Sequence, residues 1–148
     1  MNYAIGIDPG QNTGIAVWDM DAQAFVSVET TTAVQAEETV RKYGGDCIVL
    51  VEDARQRRWF GKSGPEKYQG AGWAKAASAR WEEFLKYHGI TYKMMKPGKT
   101  WKGTNAGAMF ARLTGWKGRT SNHARDAAWM VFQMAAGKAK SFNSIWYG

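Results

Sequence analysis

The chain has 148 residues, of which 45% are hydrophobic and 22% are charged, and its formal net charge is +7 at pH 7. This length suits one domain, residues 1–148, around a single core, and the apolar content excludes an intrinsically disordered chain. The excess of positive charge favours a polyanionic partner, although it leaves the fold undetermined.

The first third of the chain predicts three short strands, at residues 3–8, 13–18 and 24–30. In the first strand, the two-residue period places Asp8 on the same face as Ala4 and Gly6. Pro9-Gly10 follows at once and suits a tight turn, so the three strands are predicted to form a meander.

A helix and a buried strand are predicted next. Residues 33–43 carry apolar side chains at helical spacing, and Gly44-Gly45 predicts the end of that helix. Residues 48–53 are an apolar run closed by Glu52 and Asp53, which is typical of a central strand covered on both faces.

The remainder of the chain predicts one more strand and three more helices. Residues 54–69 are a basic, aromatic and glycine-containing break. After it, a long helix is predicted at about 70–88, with Trp73, Trp81 and Leu85 on one face. It is followed by a strand at 90–95, a basic loop at 96–103, and helices at 105–113 and 122–136. The resulting order, β-β-β-α-β-α-β-α-α, predicts a mixed-sheet α/β domain.

The single cysteine and the N-terminal sequence indicate in which cellular compartment the protein is expected. Cys47 is the only cysteine, so the chain forms no internal disulfide and lacks the cysteine pairs of a zinc site. The N-terminus lacks the basic stretch and long apolar segment of a signal peptide, and no apolar run is long enough to cross a bilayer. We therefore expect a buried thiol and a cytoplasmic location in a bacterium or a phage-infected host.

Three separated acidic sites stand out in this basic chain. Asp8 and Glu52 both end predicted strands, and their side chains converge at one edge of the sheet if those strands are neighbours. Since alternation turns Glu52 and Asp53 to opposite faces, only one of them should face Asp8; we favour Glu52, although spacing alone leaves both open. On the last helix, His123 and Asp126 are three residues apart and share a face.

Such a constellation suits phosphodiester hydrolysis. The reaction needs an activated water and stabilisation of both the transition-state charge and the leaving oxygen, which two metal ions about 3.5–4 Å apart can supply. Three carboxylates and one imidazole are enough to hold two ions. Mg²⁺ is the default cation for oxygen ligands, and the imidazole of His123 moves the balance toward Mn²⁺.

These residues resemble the RuvC-type Holliday junction resolvases of the RNase H-like superfamily. The resemblance rests on G-I-D-P-G-x-x-T-G at residues 6–14, the strand that ends at Glu52, the long helix, and H-A-R-D-A-A at residues 123–128. It implies an RNase H-like mixed five-stranded sheet flanked by helices. It also implies that Asp8, Glu52, His123 and Asp126 hold two Mg²⁺ ions.

The same resemblance implies an activity and partners. The protein would be a homodimeric endonuclease of DNA recombination and repair that binds four-way junctions and nicks two strands symmetrically. The compact chain resembles a divergent phage or prophage member, which leaves room for a broader range of substrates.

One part of the resembled pattern is incomplete. Family members carry lysines after the fifth strand and on the segment that follows it. Lys102 resembles the first of these as a catalytic residue, with Lys99 as a rival, whereas Gly107 and Ala108 stand where the second is expected. How the scissile phosphate is clamped is therefore left open.

Basic and aromatic residues outside the acidic sites predict DNA contacts. Arg side chains bind phosphates through two parallel hydrogen bonds, and exposed aromatic rings stack on unpaired bases. In the resembled family, an aromatic residue on the loop after Glu52 wedges into the junction, a role open here to Trp59 or Phe60. The predicted DNA-binding residues are Arg55, Arg57, Arg58, Trp59, Phe60, Lys62, Lys75, Arg80, Lys96 and Lys99.

Two further interpretations stay open beside the junction resolvase. One is an RNase H-like nuclease for other branched DNA or RNA–DNA hybrids, and the other is a DNA-binding module that does not hold metal productively. A sugar-kinase or actin-type ATPase is excluded, because such proteins need two domains of this kind and the chain has only 148 residues.

Overall fold

The computed structural model describes residues 1–57, 65–98 and 103–135. Within these ranges, one mixed five-stranded sheet has the order β3-β2-β1-β4-β5. Strands β1, β2 and β3 form an antiparallel meander, and β4 and β5 are added parallel to β1. The strands are β1 Tyr3–Asp8, β2 Thr13–Asp19, β3 Ala24–Thr31, β4 Cys47–Glu52 and β5 Tyr92–Met95.

Within the described residues, four helices flank the sheet. They are α1 Ala33–Tyr43, α2 Pro65–Tyr87, α3 Ala106–Thr114 and α4 Asn122–Ala135. Single 3₁₀ turns at Gly44–Asp46 and Ala54–Gln56 precede and follow β4. None of the helices in the described ranges is both long and apolar enough to cross a membrane.

The helices cover both faces of the sheet. On one face, Val40 of α1 and Trp81 and Leu85 of α2 pack on a core that includes Ile5 and Val49. The other face carries α4, which packs on Ala4, Ile48 and Leu50 through Val131 and Ala135. The sheet is therefore the middle layer of three, and its central strands are apolar on both sides.

Cys47 begins β4 at a fully buried position. Its thiol lies 3.4 Å from the carbonyl oxygen of Gly44, to which it donates. Burial, with a smaller contribution from Asp46, raises the pKa of the thiol to about 11. The side chain therefore behaves as a small apolar residue at neutral pH, because only the thiolate is strongly nucleophilic.

The sequence predicted this architecture, and the five-stranded mixed sheet confirms the expected fold class. Two predicted boundaries were wrong. Helix α2 begins at Pro65, well before Gly70, because proline suits the first helical position, where its missing N–H is not needed. Ile90 is not part of β5: its N–H donates to the carbonyl of Leu85, and Gly89, at φ 65°, ends α2 in a Schellman motif.

The expected apolar face of α2 was also partly wrong. Trp81 and Leu85 are buried as predicted, but Trp73 is 63% exposed. Among the described side chains of α2, the large apolar ones in the core lie in its C-terminal part, and Trp73 is not one of them.

Two glycines let the backbone of α4 approach the sheet. A Cβ built on Gly6 would lie 2.2 Å from the carbonyl oxygen of Ala127, and one on Gly14 would lie 2.0 Å from that of His123. Both contacts are to backbone atoms, which no change of rotamer relieves. Gly14 is paired with Asp8 across β1 and β2, so the approach occurs next to the acidic end of β1.

Substituting Gly14 by alanine is expected to cost about 3 kcal/mol of stability or more, the upper part of the range for overpacking. Urea denaturation measures the change. Gly72→Ala is the matched control: apart from its own helix backbone and chain neighbours, no heavy atom of the described residues lies within 4 Å of the added Cβ, and alanine is favoured over glycine within a helix. A Gly14→Ala protein within 0.5 kcal/mol of the parent would show that α4 does not depend on this contact.

Candidate active site

Three elements bring the predicted acidic residues to one place. Strands β1 and β4 are parallel neighbours with Ile7 opposite Val51, so Asp8 and Glu52 leave the sheet side by side at the ends of their strands. Helix α4 packs over these ends and adds His123 and Asp126. The four side chains line one cavity of about 350 Å³, together with Pro9, Ala54, Arg57, Ala74, Ser78 and Asn122.

His123 and Asp8 are in direct contact. The Nδ1 atom of His123 lies 3.1 Å from Oδ2 of Asp8 and donates a hydrogen bond when that nitrogen carries the proton. The side chain of Asp8 is only 13% exposed, whereas that of His123 is 52% exposed. Asp8 therefore forms the floor of the cavity and His123 its outer wall.

The start of α4 is held by hydrogen bonds that set the direction of His123. The hydroxyl of Ser121 accepts from the N–H of Ala124 at 3.1 Å, as an N-cap, and is also hydrogen-bonded to Thr30 of β3. The guanidinium of Arg125, which is buried, donates to the carbonyl of Thr120 at 2.7 Å. The first turn of α4 is thus fastened to the sheet and to the loop before it.

Glu52 is an acid of the cavity whose ionisation is strongly perturbed. The pKa of Glu52 is raised to about 7. Burial is the largest cause, the negative charges of Asp8 and Asp126 also raise the pKa, and Arg57 acts in the opposite direction. Because one carboxylate repels the next in a partly buried site, a cation between them relieves the repulsion. The electrostatics of the cavity therefore favour a bound cation at neutral pH.

Asp53 points away from this cavity and takes part in a separate network. Its carboxylate binds the guanidinium of Arg55 at 2.8 Å, and the Asp53 side chain is 6% exposed. Arg55 also binds Glu82 of α2 at 2.9 Å, and Glu82 accepts from the hydroxyl of Tyr92 at 3.1 Å. Burial raises the pKa of Asp53, but hydrogen bonds from Arg55 and Gln56 outweigh it and lower the pKa below its ordinary value.

Ser78 is a contributor that sequence reasoning missed. Its hydroxyl, fully buried on α2, accepts from the N–H of Ala54 at 3.1 Å and lies 3.3 Å from the carbonyl oxygen of Glu52. It therefore ties α2 to the backbone on either side of Asp53. A serine within the small-residue run 76–79 was the only sequence signal of this contact.

The donor set fits a hard divalent cation, since three carboxylates and an imidazole are ligands of Mg²⁺ or Mn²⁺. The side chains are nevertheless not drawn together to ligand distances. Within residues 1–57, 65–98 and 103–135, no three His, Cys, Asp or Glu side chains form a ready-made metal site.

The predicted DNA-binding residues are dispersed. Arg57 lines the acidic cavity, and Lys96 lines a second cavity beside it. Arg55 is held by Asp53 and Glu82, and Arg80 forms an ion pair with Glu37 at 3.3 Å on the side of α1. Lys75 is exposed on α2. Outside the described residues lie Arg58, Trp59, Phe60, Lys62, Lys99 and Lys102.

Comparison with known proteins supports the fold. No protein-family model matches the sequence, and no curated protein matches it. The structure is similar to that of Thermus thermophilus RuvC in complex with a Holliday junction substrate, with 16% identity, coverage of 95% of this chain and 98% of that chain, and a TM-score of 0.62. A second Thermus thermophilus RuvC structure has 16% identity, coverage of 88% and 94%, and a TM-score of 0.53.

These likenesses identify the class of fold. The mixed sheet and its four flanking helices have the RuvC-type, RNase H-like arrangement. At 16% identity the comparison concerns the fold, and the chemistry of the site rests on the residues of this chain.

Neutralising Glu52 is expected to stabilise the metal-free protein at high pH. Its folded-state pKa of about 7 exceeds the ordinary 4.5, so the folded chain holds a proton that the unfolded chain releases between these values. The free energy of unfolding therefore falls as pH rises through this window, by on the order of 3 kcal/mol. Urea denaturation in EDTA at pH 5 and pH 8 should show a smaller fall for Glu52→Gln.

Glu29→Gln, on an exposed position of β3, is the matched control and should keep the parental pH dependence. Mn²⁺ added at pH 8 should raise the unfolding temperature of the parent more than that of Glu52→Gln, because ligands that bind the folded state stabilise it. Equal falls in stability for the parent and Glu52→Gln would contradict the assigned electrostatics.

Proposed function

We propose that this protein is a divalent-metal-dependent endonuclease that resolves four-way DNA junctions by paired, symmetric nicks. The observation that carries the proposal is the meeting of Asp8, Glu52, His123 and Asp126 around one cavity. The similarity of the fold to a RuvC solved with a Holliday junction substrate supports the choice of DNA as the substrate.

The cavity suits metal-assisted phosphodiester hydrolysis. Asp8, Glu52, Asp126 and His123 would hold two Mg²⁺ or Mn²⁺ ions, which supply an activated water and stabilise charge on the phosphate and the leaving oxygen. Contact with His123 orients the carboxylate of Asp8, and the Ser78 hydrogen bonds fix the backbone beside Glu52. The protein thus contributes rigid placement of its ligands on strand ends and a helix.

Arg57 is the phosphate-binding residue favoured by the structure. It borders the same cavity as the acids and lowers the pKa of Glu52, which places its positive charge close to the site. A guanidinium suits the non-bridging oxygens of a phosphate, with two parallel hydrogen bonds. In this role Arg57 compensates for the lysine that has no counterpart near Gly107 and Ala108.

Paired nicks require two cavities. The described part of one chain brings the four acidic-site side chains together once, so symmetric cleavage of a junction calls for a homodimer. The net charge of +7 on each chain favours binding of the phosphate backbones that converge in a four-way junction.

A synthetic four-way junction with labelled strands tests the activity. With Mg²⁺ or Mn²⁺ we expect symmetric nicks in two strands, which ligase can seal. Asp8→Asn should lower the rate by at least about a hundredfold, consistent with loss of electrostatic stabilisation, and should still bind the junction, because removing a negative charge does not oppose phosphate binding. Asp21→Asn, at an exposed position between β2 and β3, is the matched control.

Other outcomes select the alternatives. Binding without cleavage in any divalent metal would identify a DNA-binding module. Equal cleavage of flaps, RNA–DNA hybrids and junctions would identify a nuclease of broader range.

Two neighbouring arginines are expected to have different effects. Arg57→Ala should weaken DNA binding and reduce the dependence of affinity on salt by about one counterion, as for one lost phosphate contact. Arg55→Ala should instead lower the free energy of unfolding, because Asp53 and Glu82 lose their shared partner. Fluorescence anisotropy over a salt series and urea denaturation measure the two effects; the reverse pattern would exchange the assigned roles.

A further inference from the structure

Asn122 lines the acidic cavity but is outside the ligand set proposed for the metal ions. It is an exposed residue at the start of α4, directly before His123. An amide side chain can serve such a cavity in two ways, because its oxygen can bind a cation and its nitrogen can donate to an anion. Which end of the amide meets the cavity therefore decides what Asn122 does.

A buried arginine fixes the direction of this amide. The Nη2 atom of Arg125, one turn further along α4, donates to Oδ1 of Asn122. Because a guanidinium carries donors and no acceptor, the amide must turn its oxygen toward Arg125. The amide nitrogen, which carries two N–H groups, is then the end that a ligand in the cavity meets.

Arg125 is itself held in place on both sides. The residue is 6% exposed, and its Nη1 atom donates to the carbonyl oxygen of Thr120 at 2.7 Å and to the Thr120 hydroxyl at 2.9 Å. Helix α3 lies behind it, since a Cβ built on Gly107 would be 3.6 Å from Nη1. The guanidinium therefore presents Nη2 in one direction, and the orientation of Asn122 is set before any ligand arrives.

A neutral donor suits the ligand proposed for this cavity. A phosphate brings negative charge to a space that already holds the carboxyl groups of Asp8, Glu52 and Asp126. N–H groups that are oriented in advance stabilise an anion without a cost of reorganisation. Since the amide carries no net charge, it provides this stabilisation without repelling the metal ions that the carboxylates would hold.

We propose that Asn122 is a further substrate-binding residue, whose amide nitrogen donates to a non-bridging oxygen of the DNA phosphate in the acidic cavity, and that Arg125 positions it. The proposal rests on the proposed function, because it takes the ligand of this cavity to be a DNA phosphate. Arg57, which follows β4, and Asn122, which begins α4, then hold the phosphate from different elements.

Junction binding tests the contact, with all proteins carrying Asp8→Asn so that the DNA stays intact. Asn122→Ala should weaken the affinity about tenfold, as for one hydrogen bond to a charged group. Asn122→Asp should weaken it at least as much, although it keeps an acceptor for Arg125 and should match the parent in urea denaturation. Asn2→Ala, which loses an amide hydrogen bond to Asp46 before β1, is the matched control and should keep the parental affinity.

A methylphosphonate scan identifies the phosphate. Each junction carries one methylphosphonate, in which a methyl group replaces a non-bridging oxygen, and the two diastereomers are measured separately. At the phosphate that Asn122 contacts, Asn122→Ala should no longer lower the affinity, whereas at more distant positions it should lower it as in the unmodified junction. A loss that persists at every phosphate around the branch point would overturn the contact.

Mn²⁺ binding to the DNA-free protein, with Asp8 intact, separates the two ends of the amide. Because the oxygen is turned to Arg125, Asn122→Ala should leave the Mn²⁺ affinity unchanged in isothermal titration. A measurable loss of Mn²⁺ affinity would make the amide oxygen a cation ligand and would overturn the proposed orientation.

Arg125→Met tests the positioning role. If Arg125 acts through Asn122, the loss of junction affinity that Arg125→Met causes should largely disappear in the Asn122→Ala protein, because both changes then remove the same contact. Additive losses would show that Arg125 only supports the loop at Thr120 and would reject this role. If Arg125→Met does not fold, Asn122→Asp decides: a stable protein of parental affinity would overturn the proposal.

This proposal and the proposed function fail separately. No nicking of any branched DNA, together with an Asn122→Ala loss that vanishes at one phosphate, would reject the nuclease and keep the phosphate contact. Nicking by the parent, with the same junction affinity in Asn122→Ala, would reject the contact and keep the nuclease.

Discussion

The seating of α4 directly on the glycines of β1 and β2 is the constraint on which the remaining structure depends. Gly6 and Gly14 leave room for the carbonyls of Ala127 and His123, and any side chain there would lift the helix from the sheet. Only a helix at this depth can bring its first-turn side chains to the strand ends. The G-x-D-P-G-x-x-T-G segment thus supplies both Asp8 of the candidate site and the space for the helix that carries His123 and Asp126.

Gathering acids at this edge has a stability cost that other contacts offset. The raised pKa of Glu52 reflects that cost. Burial and the neighbouring carboxylates disfavour the ionised form of Glu52 in the folded protein, and this lowers the free energy of unfolding at high pH. The apolar core under α1 and α2, the capped start of α4 and the Arg55 ion pairs surround the cavity with stable structure. Functional sites commonly store such strain within a rigid frame.

The fold, and the meeting of Asp8, Glu52, His123 and Asp126 around one cavity, could be predicted because each had a local signal in the sequence. Period-two alternation placed Glu52 and Asp53 on opposite faces without choosing between them, and helical spacing put His123 beside Asp126. Contacts that depend on tertiary packing had no such signal. Arg55 and Arg57 belong to the same basic segment of the sequence, but Arg55 is paired with Asp53 whereas Arg57 lines the acidic cavity. The burial of Ser78 and the second cavity likewise arise only when α2 and α4 are docked on the sheet.

The inert thiol at the start of β4 has a practical consequence for single-molecule work. With a pKa of about 11, Cys47 is almost wholly protonated at neutral pH and has no path to solvent, so maleimide reagents should leave it untouched. A fluorophore can therefore be attached at a newly introduced surface cysteine without first removing the native one. Each chain then carries one dye at a chosen position, which suits energy-transfer measurements of distances within the protein.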